Sequence, residues 1–395
     1  MTKPYIHRSI ENDILKRAKE FPVIVLTGPR QTGKSTMLQK IFPSYGYISL
    51  DDPLTKNLAA QDPKLFLENN PAPLIIDEIQ YVPELLSYLK IEVDSNRSLN
   101  GRYILTGSQI FSLMAGISES LAGRAVLYEL LGFSFDELFT KKLINNTFAG
   151  CFQAIYKGFF PETCVHNVDP TAFYSSYIQT YLERDIRQIR SVHDLRLFQQ
   201  FLELLAARVG SLLNLNEISK ECGISHTTAK NWLSLLESTR IVYLLRPYYK
   251  NVSKRVIKSP KLYFTDTGLL AYILKYPDAK ILSAGPIAGH LFENIMIMEI
   301  LKYKFNANMR YELYFYRDST HNEIDLVLDF GYALKLIEFK SSKSVRTDHW
   351  KHFKQISKIL KPQSSHIVSF FEKDLTLSPD IYCTPWWKIT DILTR

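Results

Sequence analysis

Five short apolar runs recur between residue 1 and about residue 145: PVIVLTG, YGYISLD, PLIIDE, GRYILTGS and AVLYELL. Stretches with helical spacing separate them. Apolar residues at consecutive rather than alternate positions predict strands covered on both faces, which is the signature of a parallel sheet in an α/β layer fold. From about 150 to 210 the pattern turns helical. TAFYSSYIQTYLERDIRQIR and DLRLFQQFLELLAARVG repeat their apolar residues every three or four positions. NLNEISKECGISHTTAKNWLSLLE then predicts two short helices joined at Gly223. Beyond about 285 a helix, GHLFENIMIMEILKY, leads into strands, another helix and a final strand. Three domains are expected, over 1–145, 146–277 and 278–395.

Chemistry enters directly after the first strand. Gly28-Pro29-Arg30-Gln31-Thr32-Gly33-Lys34-Ser35 matches G-x-x-x-x-G-K-[ST], with VIVL before it and the helical TMLQKIF, beginning at Thr36, after it. Glycines let successive backbone N–H groups turn toward phosphates, and the helix adds the positive end of its dipole. Residues Gly28 to Thr36 are the expected ATP cradle. Lys34 would reach the β- and γ-phosphates, and the Ser35 hydroxyl would ligate Mg²⁺.

PLIIDE ends a buried strand on Asp77 and Glu78. Asp77 is expected at the magnesium shell, and Glu78 polarises a water for attack on the γ-phosphate. A water-activating acid favours hydrolysis over transfer to a small-molecule acceptor. GRYILTGS should lie between the Lys34 and Asp77 strands, which puts Ser108 or Gln109 near the γ-phosphate as a sensor or leaves a strand-end turn. Arg124 either stabilises charge on the leaving phosphates, within its chain or across an interface, or makes a surface ion pair.

The two-helix pattern around Gly223 has the order of a helix-turn-helix, packed through Ala229, Trp232, Leu233 and Leu236. Its outer face carries His226, Thr227, Lys230 and Asn231, side chains suited to groove edges and phosphates. The following strands flank a turn with Lys250, Lys254, Arg255 and Lys258, which reads as the wing of a winged helix that contacts DNA or another protein.

Further on, Asp325 falls opposite Ile324, Leu326 and Leu328, while Glu338 and Lys340, two apart, share one strand face. Paired strands would bring Asp325 and Glu338 to metal-bridging distance, with Lys340 beside them to orient or deprotonate a water. Hard oxygen ligands of this kind suit Mg²⁺ or Mn²⁺. The same residues also read as the wet face of an ordinary hairpin.

The order Glu293, then Asp325-x₁₂-Glu338-x-Lys340, resembles the PD-(D/E)XK restriction-endonuclease-like fold. TGPRQTGKST, LIIDEIQ, ILTGSQ, LAGR, SPKLYFTDTGLLAYIL and RDSTHNEIDLVL…IEFKSS occur in this order. Together they resemble a prokaryotic family of AAA-superfamily ATPases that joins a P-loop domain to a winged helix and a C-terminal nuclease-like domain of unknown function. The resemblance implies a P-loop parallel sheet followed by a helical winged-helix domain and a restriction-endonuclease-like α/β domain. It also implies nucleotide contacts at Gly33, Lys34, Ser35, Asp77 and Glu78, and a metal site at Glu293, Asp325, Glu338 and Lys340. The chain departs from the ring-forming AAA+ pattern in lacking an evident second sensor arginine.

Composition narrows the partners. The 395 residues are 46% hydrophobic and 22% charged, which fits a globular protein. A formal net charge of +8 favours a polyanionic partner, DNA above all, although many proteins of this charge bind only ATP. Protein partners and self-association stay open. Four scattered cysteines without a CxxC pair fit a reducing cytoplasm. No run has the length of a membrane span, and the N-terminus lacks the apolar core of a secretory signal.

Overall fold

A computed structural model describes residues 5–108, 117, 120–182, 194–249, 259–344, 346, 350 and 352–394. The chain forms two compact units, one of Met1–Phe133 with Ser238–Arg240 and Phe305–Asn308, the other of Ser134–Glu237, Ile241–Lys304 and Met309–Arg395. No helix among the described residues is long and apolar enough to cross a membrane.

The first unit is built on a five-stranded parallel sheet. Its strands are β1 (Val23–Thr27), β2 (Gly46–Ser49), β3 (Leu74–Asp77), β4 (Tyr103–Gly107) and β5 (Ala125–Glu129), in the order β2-β3-β4-β1-β5. As expected from sequence, β4 lies between the strand that leads into the phosphate loop and the strand that ends on Asp77.

Alternate residues of the central strands feed opposite faces. Val23, Val25, Ile76 and Leu105 pack with Leu85, Leu86, Leu89 and Val93. Ile24, Leu26, Ile75 and Ile104 pack with Ile10, Ile14, Met37 and Leu38. The helices responsible are α1 (Glu11–Arg17) and α2 (Lys34–Ile41) on one face and α5 (Leu85–Ser95) on the other; α3 (Pro53–Gln61) and α4 (Pro63–Asn69) connect β2 to β3. Burying both faces is why these strands read as unbroken apolar runs.

The second unit carries an eight-stranded mixed sheet. Its strands are β6 (Val242–Pro247), β7 (Lys261–Phe264), β8 (Glu312–Arg317), β9 (Glu323–Asp329), β10 (Leu334–Phe339), β11 (Ser364–Ser369), β12 (Leu375–Ser378) and β13 (Ile381–Pro385). Their order is β12-β13-β11-β10-β9-β8-β6-β7. The strands read as flanking a wing, β6 and β7, pair antiparallel, and β6 also runs parallel to β8 through Arg246–Tyr314 and Pro247–Phe315. Backbone hydrogen bonds therefore tie β6, and through it β7, to β8, which follows residue 278.

The helix Ala288–Asn306 spreads its apolar residues around its axis, and residues 291–302 along it are buried. Several of its buried polar residues are tied to the backbone or to each other. Asn294 closes two 2.8 Å hydrogen bonds with the backbone of Phe264, and Glu299 accepts from the Phe135 N–H at 2.7 Å and from Lys302 at 2.7 Å.

Candidate functional site

The loop between β1 and α2 turns on two glycines. Gly28 has φ of 141°, and a Cβ there would lie 2.1 Å from the Leu130 carbonyl oxygen, so only glycine fits. Gly33, at φ 87°, caps α2 and starts the helix at Lys34. Arg8 braces the loop: it donates to the Thr32 carbonyl at 3.0 Å and, on the other side, to Leu131 O at 2.8 Å. Thr32 returns a bond to Pro29 O at 3.0 Å.

Lys34 is buried, and its ammonium donates to Gly28 O at 2.9 Å and Pro29 O at 2.8 Å. Burial lowers its pKa below the ordinary lysine value, and Arg30 pushes the same way, although Asp77 and Glu78 oppose it. Such a cation, paired only with neutral carbonyls, is well placed to exchange them for phosphate oxygens. Arg30 itself donates to the Tyr81 hydroxyl at 2.8 Å. Thr36 lies on the exposed side of α2.

Asp77, at the end of β3, collects three hydroxyls. Ser35 donates to Oδ2 at 2.8 Å, Tyr47 donates to the same oxygen at 2.7 Å, and Thr106 donates to Oδ1. Burial and the Asp77 contact push the Tyr47 phenol up to about 12, so it stays a donor. The facing Ser35 hydroxyl and Asp77 carboxylate are the oxygen pair that a Mg²⁺ ion takes, and they fit it.

Glu78 adopts the left-handed backbone region at φ 57°. Its N–H points to Thr106 Oγ1 at 3.3 Å, and its carboxylate accepts from Ser108 Oγ at 3.1 Å and from Gln80. Gln80 also donates to Ser108 at 3.2 Å. Lys34, Ser35, Asp77, Glu78 and Ser108 thus converge at the end of the sheet where β1 finishes. Gln109 lies outside the described residues.

Arg124 is not among them. It directly precedes β5, which runs parallel to β1, so it lies at the opposite end of the sheet, about 16 Å of strand away. There it pairs with Asp94 through Nε at 2.7 Å and a terminal nitrogen at 2.9 Å.

Arg8, Tyr47, Gln80 and Thr106 were not among the residues expected from sequence. Thr106, last but one in the apolar run YILTG, carried a signal: a hydroxyl on a buried strand must find a partner.

In the second unit the helix Leu215–Cys222 ends on Gly223 at φ 70°, and Ser225 caps the helix His226–Ser238 by accepting the Thr228 N–H at 3.0 Å. Ala229, Trp232, Leu233 and Leu236 are buried, with Trp232 edge-on to Phe198 and Phe201. His226, Thr227, Lys230 and Asn231 are exposed. Lys250, Lys254, Arg255 and Lys258 lie outside the described residues.

The acids and lysine of the C-terminal strands also meet, but around a cation that the sequence did not reveal. Lys261 on β7 is buried, with its ammonium 2.5 Å from Glu323 Oε1, 3.3 Å from Glu293 Oε1 and 3.9 Å from Asp325 Oδ1. Tyr263 donates to Glu293 at 2.5 Å, the Phe339 N–H donates to Asp325 Oδ2 at 2.9 Å, and Lys340 pairs with Glu338 at 2.6 Å. Burial, together with Glu338 and Glu293, pushes the Asp325 carboxyl well above its ordinary value. Burial alone would lower Lys261, but Glu293, Asp325 and Glu323 outweigh it and raise it.

Of the acids expected to share a divalent ion, Glu293 and Asp325 face the Lys261 ammonium together with Glu323, whereas Glu338 is paired with Lys340. Among the described residues, no group of three or more His, Cys, Asp or Glu side chains could hold a metal ion.

Family models match three consecutive stretches of the chain: an AAA domain over residues 20–139, a domain of unknown function (DUF8612) over 150–280, and another (DUF4143) over 288–389. Two curated relatives, uncharacterized protein Rv2008c of Mycobacterium tuberculosis and uncharacterized protein Mb2031c of Mycobacterium bovis, are each 30% identical over 334 residues. The match covers 82% of this chain and 73% of each relative. Among solved structures, the Walker-type ATPase PABY2304 of Pyrococcus abyssi superposes with a TM-score of 0.47 at 17% identity, over 68% of this chain and 96% of that one. The Holliday junction branch migration motor RuvB of Thermotoga maritima gives 0.33 at 17% identity, over 61% and 90%.

Proposed function

The chain belongs to one family with the mycobacterial proteins Rv2008c and Mb2031c and carries an AAA domain, and on that premise we propose that it binds ATP with Mg²⁺, hydrolyses it, and couples the cycle to DNA. The observation that carries the ATPase part is the convergence of Lys34, Ser35, Asp77, Glu78 and Ser108 at one end of the parallel sheet. Lys34 exchanges its two carbonyl partners for β- and γ-phosphate oxygens. Ser35 and Asp77 hold Mg²⁺, which when bound neutralises developing phosphate charge. Glu78 accepts a proton from the attacking water, with Ser108 and Gln80 fixing its carboxylate.

The exposed His226, Thr227, Lys230 and Asn231 on the second helix of the pair, together with the net charge of +8, support the DNA half. The basic segment with Lys250, Lys254, Arg255 and Lys258 would add phosphate contacts as a wing.

A second reading, in which ATP occupancy switches an adaptor whose C-terminal domain does no chemistry, is favoured by one observation. Lys261 and Lys340 neutralise the acids that a nuclease would spend on metal.

Phosphate release by the full chain, with Mg²⁺ and with or without duplex DNA, tests both. Mg²⁺-dependent turnover that changes with DNA, and loses that response as salt rises, supports coupling. Turnover indifferent to DNA at low salt favours the adaptor, and no turnover removes the ATPase.

A further inference from the structure

We propose that the ammonium of Lys261 is the resident cation of the acid cluster formed by Glu293, Glu323 and Asp325, standing where a metal-dependent nuclease centre would hold its divalent ion, so that a metal enters only when that ammonium is removed. The three acids come from two elements. Glu293 projects from the buried helix Ala288–Asn306, and Glu323 and Asp325, two apart, share one face of β9. Carboxylates brought together out of water need a counter-charge. Lys261 supplies it, at 2.5 and 3.3 Å from Glu323 and Glu293 and 3.9 Å from Asp325, with a side chain only 4% exposed.

Glu293 and Asp325 stand 3.3 and 3.9 Å from the ammonium, wider than the about 2.0–2.6 Å to which a divalent ion would draw their oxygens. Neighbouring cations offset more of the negative charge. Arg317 meets the other oxygen of Glu323 at 3.4 Å, and Lys340 meets Glu338 at 2.6 Å, so three cations face the four carboxylates. Tyr263, on the same face of β7, donates to Glu293 and fixes its orientation.

Lys261 is held in place by its backbone. It pairs with Leu245 on β6 and bridges to Leu212 on its other side, so the ammonium is tethered to a strand anchored from both edges. A divalent ion at the same point would be repelled by the buried ammonium.

The test is Mn²⁺ binding to the full chain without nucleotide, followed by electron paramagnetic resonance. Wild type and Lys261→Arg are expected to hold no Mn²⁺ that Asp325→Asn loses. Lys261→Met is expected to gain one ion, lost again when Asp325→Asn is added. Because wild type and Asp325→Asn alone answer the first question, the test survives poor folding of Lys261→Met. Stoichiometric Mn²⁺ in wild type that Asp325→Asn abolishes would overturn the proposal, as would a folded Lys261→Met that gains none. With nucleotide left out, failure here leaves the ATPase reading intact.

Discussion

The Ser35 hydroxyl donates to Asp77 Oδ2 across 2.8 Å, joining the first turn of α2 to the end of β3. Thr106 and Tyr47 hold the same carboxylate, so its position is fixed by three neighbours. Substituting Asp77→Asn keeps the shape but removes the charge. ATP affinity is expected to lose its dependence on Mg²⁺, and turnover to fall on the order of a hundredfold, as when one group that stabilises transition-state charge is removed. Titrations with and without Mg²⁺ and phosphate release measure the two effects.

Glu78 stands apart from Asp77 in its partners, Ser108 and Gln80, and in its backbone conformation. In Glu78→Gln the loss of a general base is expected to slow hydrolysis by about 10²–10⁴-fold while ATP still binds. Single-turnover kinetics on saturated protein separate this outcome from a binding defect.

Gly28→Ala forces a side chain to within 2.1 Å of Leu130 O at a φ of 141°. The loop must move, so ATP binding is expected to disappear, at a stability cost of roughly 1–3 kcal/mol. Urea unfolding and a nucleotide titration of the same preparation check this.

Lys34 gives a pH signature. Burial holds its pKa below the ordinary 10.5, so in the window between the folded and unfolded values the unfolded chain binds more protons, and stability rises with pH. At neutral pH this buried cation costs stability. Nucleotide-free Lys34→Met is therefore expected to be more stable than wild type there, with the gap closing as pH rises toward 10.5. Unfolding curves at several pH values read the sign; a gap that widens with pH would contradict it.

Lys230 is exposed beside the buried Trp232. Lys230→Ala is expected to leave stability within about 0.5 kcal/mol and to reduce the slope of log affinity for duplex DNA against log salt by about one. Trp232→Ala, which empties the packing against Phe198 and Phe201, is expected to cost about 3–5 kcal/mol instead. Salt-series binding and denaturant melts distinguish the two.

The phosphate loop and the order of β3, β4 and β1 were legible because local rules govern them. Gly28 and Gly33 are demanded by backbone geometry, and the central strands carry consecutive apolar residues because both faces are buried. What sequence could not supply was long-range register. β6 and β8 are far apart in the chain, and nothing in either run announces their parallel pairing.

The same gap hid Lys261. In SPKLYFTD it reads as one more basic residue, and only β7's burial brings its ammonium to Glu293, Glu323 and Asp325. Arg124 shows the converse. An arginine offered by sequence for the leaving phosphates lies at the opposite end of the sheet once the strand direction is known.

The most direct measurement is a calorimetric titration of the full chain with ATP in the presence of Mg²⁺. Saturable binding by wild type, absent in Lys34→Ala, is the expected result. No heat and no saturation in wild type, or equal binding in Lys34→Ala, would contradict the account.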